Sequence, residues 1–307
     1  MSTEHVKEKL PSSGDTSLGE TWSVSLFTGP SPLALKPRDD DDNAVLRPGS
    51  LETEDGPVSL AADPFLVHTQ GRWYLFFEIK HGPGRPGQIA LAVSEDSTRW
   101  RFEGTVLRES FHLSYPHVFS WRGVHYMTPE TLGAKAVRLY RANPFPNRWV
   151  PEATLARGEL ADPTPFRYQN RWWLFACPRP HGHDALCLFH SDRLSGPWLP
   201  HPRNPLIEND ASRARPGGRV TRLGKRLVRF AQDCLPEYGT QVRAFEILTL
   251  STTEYREREV PESPVLGPSA RGWNARGMHH LDPYRLEDGS WLAAVDGRGW
   301  VPAGKTK

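Results

Sequence analysis

The stretch Asp63-Pro64-Phe65-Leu66-Val67-His68-Thr69-Gln70-Gly71-Arg72-Trp73-Tyr74-Leu75-Phe76-Phe77-Glu78 reads as a short apolar strand, a Gln-Gly turn and a second strand rich in aromatics. Altered copies open at Tyr115-Pro116, Asp162-Pro163, Arg215-Pro216 and Asp282-Pro283, with turns centred on Gly123, Asn170, Gly224 and Gly289 where the first copy has Gly71. Repeats of this period mark a solenoid, an array or a propeller. Alternating strands separated by turn residues mark all-β units rather than helical ones. Five hairpins in 307 residues predict a five-bladed β-propeller.

The rest of each repeat completes a blade of four antiparallel strands. A third alternating run follows the hairpin at 88–94, 137–140, 186–190 and 242–246, and an outer segment comes next, marked by Trp100, Trp149 and Trp198. The fifth copy stops after its second strand, at 291–295. At the other end of the chain, residues 21–27 resemble a third strand and the stretch after Ser31 an outer one. The N- and C-terminal strands are therefore expected to share one blade, which closes the ring and removes its free edges. This places a single propeller domain over 21–300, with an aperiodic, disordered tail at 1–20 and a short tail at 301–307.

Composition fits such a domain: 37% apolar and 24% charged residues, with 11 Trp and 13 Phe available for packing. A formal net charge of +2 gives no broad electrostatic attraction to nucleic acid. No apolar run approaches the roughly 20 residues needed to span a membrane, and the first twenty residues have no apolar signal core, so a cytoplasmic protein is expected. Cys177, Cys187 and Cys234 lack metal-ligand spacing and are expected to be reduced and buried. The run Arg38-Asp39-Asp40-Asp41-Asp42-Asn43 is read as a solvated loop rather than a calcium site.

In a propeller the innermost strands converge on a central channel, so equivalent residues of different repeats meet in space. The position before proline is Asp63, Tyr115, Asp162, Arg215 and Asp282. A second position, at the end of the second strand, is Glu78, Glu130, Cys177, Ala231 and Asp296. Any one Asp-Pro is explained by turn chemistry. Turn chemistry does not explain Tyr and Arg at equivalent places, nor six carboxylates in one funnel, where burial and mutual repulsion raise pKa values. Such clustering marks a site. His117, Arg215 and Arg219 flank it, with Gly217 and Gly218 allowing close backbone approach. Gln232-Asp233-Cys234 ends the fourth hairpin, with Tyr238 soon after, and Met278-His279-His280-Leu281-Asp282 opens the fifth. The arginines suit either an anionic group or charge balance against the aspartates. Adjacent histidines on a strand face opposite sides, so His279 and His280 are not read as joint metal ligands with Asp282; no metal or cofactor is expected. His181-Gly182-His183-Asp184 is read as a surface loop.

The Asp-Pro openings, strand endings such as Trp73-Tyr74-Leu75-Phe76-Phe77-Glu78, and the phrase Ile89-Ala90-Leu91-Ala92-Val93-Ser94-Glu95-Asp96 resemble the five-bladed glycoside hydrolases of family 43 and its relatives in families 32, 68 and 130. That resemblance implies a catalytic base or nucleophile at Asp63 and an orienting carboxylate at Asp162. The family's acid, a Glu, has no counterpart around Pro216, where Ala214 and Arg215 stand instead. A closer resemblance, from about Trp22 to Gly297, is to the propeller domain named after the plant glucosamine inositolphosphorylceramide transferases. Its residues are Asp63-Pro64-Phe65, Tyr115-Pro116-His117-Val118-Phe119, Tyr126-Met127-Thr128-Pro129-Glu130-Thr131, Arg215-Pro216-Gly217-Gly218-Arg219, Gln232-Asp233-Cys234 and His279-His280-Leu281-Asp282. It implies sugar chemistry without fixing a reaction, since the plant proteins carry a separate transferase domain.

The expectation is a carbohydrate-active enzyme working at a glycosidic or glycosyl-phosphate bond, with transfer or phosphorolysis favoured over hydrolysis. Chemistry at an anomeric carbon needs one group to attack or stabilise and another to protonate the leaving oxygen. Asp63 takes the first role with Asp162 as its orienting partner, and Glu130 or Asp233 takes the second. Glu78, Tyr115, His117, Arg215, Arg219, His279, His280, Asp282 and Asp296 would bind a sugar or glycoconjugate, with the arginines holding an anionic leaving group. The alternatives are a catalytically silent glycan-binding propeller, a hydrolase with a rearranged acid, and a protein-interaction propeller.

Overall fold

The computed structural model describes residues 18–38 and 44–302. Residues 1–17 of the expected N-terminal tail, 303–307 of the C-terminal one, and 39–43 of the aspartate run lie outside the described residues. Leu18, Gly19 and Glu20, expected in the tail, instead begin a strand, and the last strand continues past 300 to Pro302.

Five four-stranded antiparallel sheets make the propeller. The first blade is Leu60–Thr69, Arg72–Lys80, Gln88–Ser94 and Arg101–Leu107, and the second is Ser114–Trp121, Val124–Glu130, Ala136–Ala142 and Trp149–Arg157. Ala161–Tyr168, Arg171–Cys177, Cys187–Ser191 and Leu199–Pro200 make the third. The fourth is Thr221–Leu223, Arg226–Asp233, Gln241–Leu250 and Tyr255–Glu259. The fifth joins the two ends of the chain, in the order Ala34–Pro37, Leu18–Ser31, Trp291–Pro302, Leu281–Arg285. Its central pair keeps an unbroken register from Leu18↔Pro302 to Gly29↔Trp291.

Inner and outer strands differ in burial for a simple reason. Strand Arg72–Lys80 is buried on both faces because blades stack on either side of it, whereas Arg101–Leu107 is half-exposed at the rim. Successive side chains of a strand point to opposite faces. Leu75, Phe77 and Ile79 accordingly join a cluster with Val24, Leu26 and Leu292 of the fifth blade. Tyr74 and Phe76 join one with Val118, Met127 and Trp149 of the second. The remaining three clusters fill the other blade interfaces in the same way. The rim tryptophans close the outer turns: Nε1–H of Trp100, Trp149 and Trp198 donates to the carbonyls of Ser97, Pro146 and Leu194 at 3.2, 3.0 and 3.0 Å.

Two repeats depart from the expected alignment. The fourth blade's inner strand is broken after Arg215-Pro216: a single bridge joins Pro216 to Ala231, and the regular strand resumes only at Thr221. In the fifth, Asp282 pairs with Ala294, two residues before Asp296, so it does not share the position of Asp63, which sits in a bulge beside Glu78. His280, not Asp282, approaches Asp63. The cysteines are free; Cys177 and Cys234 are buried and Cys187 is half-buried. Among the described residues no helix is long and apolar enough to cross a membrane.

Candidate active site

Three blades open their inner strand with a non-glycine residue in left-handed backbone: Asp63 at φ 53°, Tyr115 at 46° and Asp162 at 48°. That conformation is sparsely populated for such residues and disfavoured before proline. Here a carboxylate of the preceding blade holds each one. Asp63 N–H donates to Asp296 Oδ2 at 2.8 Å, Tyr115 N–H to Asp63 Oδ2 at 3.1 Å, and Asp162 N–H to Glu130 Oε2 at 3.2 Å. Each bulge bends the strand inward and aims its side chain at the channel. The carboxylates thus fix the turns and also crowd one end of the ring.

That end holds a cavity of about 220 Å³ lined by Asp63, Glu78, Glu130, Arg215 and His279, together with Trp22, Lys80, His112 and Tyr238. Asp63 is 5% exposed. Burial first, then the neighbouring Asp296 and Asp162, push its carboxyl up to about 7, against the pull of His279 and Arg215. Burial and the nearby Asp162 push Glu130 up to about 8 despite Arg215. Glu78 rises well above the ordinary range through burial and the Asp63 charge. His112, 3.5 Å from Glu78, is driven by burial down to about 4 and stays neutral.

Two pairs offset this acidity. His279 Nδ1–H donates to Asp296 Oδ1 at 2.7 Å, and its Nε2 lies 3.6 Å from Asp63 Oδ1. Burial works against the imidazolium, but Asp296 and Asp63 outweigh it and raise the His279 pKa. Asp296 is correspondingly lowered despite its burial. Trp22 stacks on His279 with ring centres 4.0 Å apart. A Cβ on Gly239, at φ +73°, would lie 2.6 Å from the Trp22 ring, so glycine there leaves room for the Trp22–His279 stack. Asp63, His279 and Asp296 bring one ligand atom each to within 4.8 Å of one another. Their mutual hydrogen bond and ion pairing account for that closeness.

Arg215 makes the other pair. Nε and Nη2 donate to Asp162 at 2.5 and 3.2 Å, Nη2 also to Glu130 at 3.4 Å, and Nη1 to the Pro180 carbonyl at 3.0 Å and to His183 Nδ1 at 2.9 Å. Its cationic carbon lies 5.1 Å from the centre of the Tyr238 ring. With its donors committed, Arg215 balances charge rather than awaiting an anion. His183, read from sequence as surface loop, reaches the site through this contact. Gln232 Nε2–H also binds Asp162, at 2.7 Å.

The expected site residues therefore separate. Asp63, Glu78, Glu130, Arg215 and His279 share the cavity, with Asp162 and Asp296 bonded directly behind them. Tyr115 and His280 are wall residues: the Tyr115 hydroxyl bonds Thr164 at 2.8 Å and accepts from Gly218 N–H at 2.8 Å, and His280 packs edge-on against Phe65. Asp233 is not at the cavity; its carboxylate accepts from Gln241 at 2.9 Å and lies 3.8 Å from Arg243. His117 and Arg219 line a different cavity, at the other end of the channel, and Asp282 is bound to Arg219 there at 2.7 Å. Sequence reasoning passed over Trp22, Lys80, His112 and His183, which come from a distant strand, a strand end and loops with no repeat signature.

Residues 15–298 match the family described as glucosamine inositolphosphorylceramide transferase 1, N-terminal. The chain belongs to this family. It is 36% identical over 305 residues to glucosamine inositolphosphorylceramide transferase 1 of Oryza sativa subsp. japonica, covering 92% of this chain and 41% of the rice protein. It is 34% identical over 316 residues to the Arabidopsis thaliana protein of the same name, covering 96% of this chain and again 41% of the relative. The match thus spans about two fifths of the length of these curated relatives. Among solved structures, β-1,2-mannobiose phosphorylase from Listeria innocua aligns at a TM-score of 0.63 and 13% identity, covering 88% of this chain and 96% of that one. The GH62 α-L-arabinofuranosidase catalytic domain of Coprinopsis cinerea aligns at 0.56 and 13%, covering 92% and 98%. At such identities the structural likeness establishes the shared propeller and no more.

Proposed function

We propose that the Asp63 cavity is a carbohydrate-active site that transfers a glycosyl group from a glycosidic or glycosyl-phosphate donor. The observation that carries this reading is a pair of buried carboxyls, Asp63 and Glu130, lining one cavity with pKa values raised to about 7 and about 8. Near neutral pH such a pair supplies one carboxylate and one carboxylic acid, the combination that chemistry at an anomeric carbon requires. Asp63 acts as base or nucleophile, with the His279 imidazolium facing it and favouring its ionised form. Glu130 protonates the leaving oxygen. Asp162 is a positioning residue, holding Arg215 against Glu130. The relatives named glucosamine inositolphosphorylceramide transferase 1 and the β-1,2-mannobiose phosphorylase of like fold support a carbohydrate-active reading in general.

Phosphorolysis loses the support that an arginine clamp would lend it. Arg215 is committed internally, and Arg219 lies at the other cavity. Lys80, half-buried at the rim, is the cation left to meet an anionic leaving group. A second reading, glycan binding without turnover, is favoured by the Arg215–Glu130 contact at 3.4 Å, which also suits a purely structural acid. Mass spectrometry of wild type, Asp63→Asn and Glu130→Gln with glycosyl donors, with and without acceptor sugars, separates the two. Loss of at least ~100-fold in turnover in both variants, with the fold intact, is expected for proton-transfer groups. Retained binding without product in the wild type favours the second reading.

A further inference from the structure

We propose that the cavity at the hairpin-turn end of the channel is a second binding site, one that takes an anionic sugar. The Asp63 cavity lies where the inner strands begin, whereas this one is lined by Gln169 and Asn170, the turn that follows Ala161–Tyr168. Eight residues separate Asp162 from Asn170, which at ~3.3 Å per residue puts the two ends roughly 25 Å apart. The site is therefore independent of the function proposed for Asp63.

Its volume, about 680 Å³, is suited to one or two sugar rings. The half-buried Trp121 and Tyr168 provide aromatic surface, and the exposed Arg167 and Arg222 provide the charge, Arg219 being already paired with Asp282; no aspartate or glutamate lines it. The Asp63 cavity, by contrast, is lined by three carboxylates. Arg167 lies 4.6 Å over Trp121 and hydrogen-bonds only to its neighbour Asn170, at 3.4 and 3.2 Å. Arg222 donates to the Gly224 carbonyl at 3.2 Å. Among the described residues neither has a carboxylate partner. Arg122, 5.4 Å from the Trp121 ring, lines an adjoining cavity in which Glu152 and Asp192 balance the arginines.

Guanidinium forks without carboxylate partners beside an indole match a ligand that has a ring to stack and a carboxylate or phosphate to accept paired hydrogen bonds. The limited volume and a net charge of only +2 favour a sugar acid or sugar phosphate over a nucleic-acid strand. An arginine face that merely solvates the surface is normally interspersed with acids, as the adjoining cavity is, whereas the lining of the larger cavity carries none.

The test is a titration of the full chain, followed by tryptophan fluorescence, with trigalacturonate, glucose 6-phosphate, maltotriose, inorganic phosphate and a short oligouridylate. Saturable binding of trigalacturonate or glucose 6-phosphate is expected, and the stronger of the two identifies carboxylate or phosphate as the recognised group. Maltotriose and inorganic phosphate are expected to bind at least about tenfold more weakly. The exposed pair Arg167→Ala with Arg222→Ala should weaken the acidic sugar about tenfold without lowering the melting temperature. Raising salt to about 0.5 M should weaken it as well. Asp63→Asn should leave it unchanged. No saturation by either acidic sugar, equal binding of maltotriose, tighter binding of the oligouridylate, an unaffected double variant, or loss of binding in Asp63→Asn would each overturn the proposal.

Discussion

At the residue scale, burial and pairing set which groups of the cavity carry charge near neutral pH. Burial raises Asp63 to about 7 and Glu130 to about 8, while the His279–Asp296 pair holds opposite charges in the same wall. Turnover that needs Asp63 ionised and Glu130 protonated rises through the first value and falls through the second, giving a narrow bell centred between them. A pH–rate profile checks this, and Glu130→Gln should remove the alkaline limb from any residual activity. The same shifts act on stability with a definite sign. A carboxyl whose folded pKa lies above its unfolded value of about 4 binds an extra proton in the folded state between the two, so stability falls as pH rises through that window. Asp63→Asn, which retains an acceptor for Tyr115 N–H, should therefore melt higher than wild type at pH 8 and by no more than a small margin at pH 4. Chemical denaturation at the two pH values reads the difference, and equal shifts at both would refute the burial account.

At the element scale, two glycines separate fold from function. Gly218 has φ +133°, and a Cβ there would lie 1.9 Å from the Leu281 carbonyl oxygen, a backbone atom of the next blade that cannot give way. Gly218→Ala should cost about 3 kcal/mol through strain and overpacking and loosen the Tyr115 hydroxyl from its N–H. At Gly239 the obstacle is the far end of the Trp22 side chain, which can swing. Gly239→Ala should keep more of the stability but displace Trp22 from His279. Thermal melts combined with tryptophan fluorescence distinguish the outcomes. The hairpins were legible in the sequence because each carries its own turn residue and period-2 pattern, and Asp63, Glu130 and Asp162 followed from their place in the repeat. Asp282 was misplaced because a bulge adds one residue to the first three inner strands and not to the fifth, a shift that moves side chains but leaves the Asp-Pro dipeptide looking the same. His183 and His112 reach the site from loops, where no periodicity predicts direction, and whether Arg215 served an anion or its neighbours depended on contacts with Pro180 and His183 that only the fold brings about.

At the scale of the whole molecule, five blades are held by apolar clusters between neighbours, so the ring is only as stable as its closure. The shared fifth blade pairs Leu18 through Gly29 with the whole of Trp291–Pro302, and it places Trp22 at the cavity and Asp296 behind its His279. Closure and site assembly are therefore one event. A chain beginning at Leu18 keeps the whole register and should melt with the full-length protein. A chain beginning at residue 31 loses the strand beside Trp291–Pro302, uncovers Leu292 and Ala294 on one face and Ala293 and Val295 on the other, and leaves a long unpaired apolar edge. It should aggregate or unfold cooperatively, not merely lose one blade, because the clusters on both sides of the fifth blade contain residues of the missing strand: Val24 and Leu26 on one, Phe27 on the other. Supplying residues 18–38 as a separate peptide should restore the elution volume of the full-length chain and, with it, the tryptophan that stacks on His279. Size-exclusion chromatography with fluorescence reads both; a truncated chain that elutes like the full-length chain, with an unchanged melting temperature, would mean that the ring does not depend on this closure.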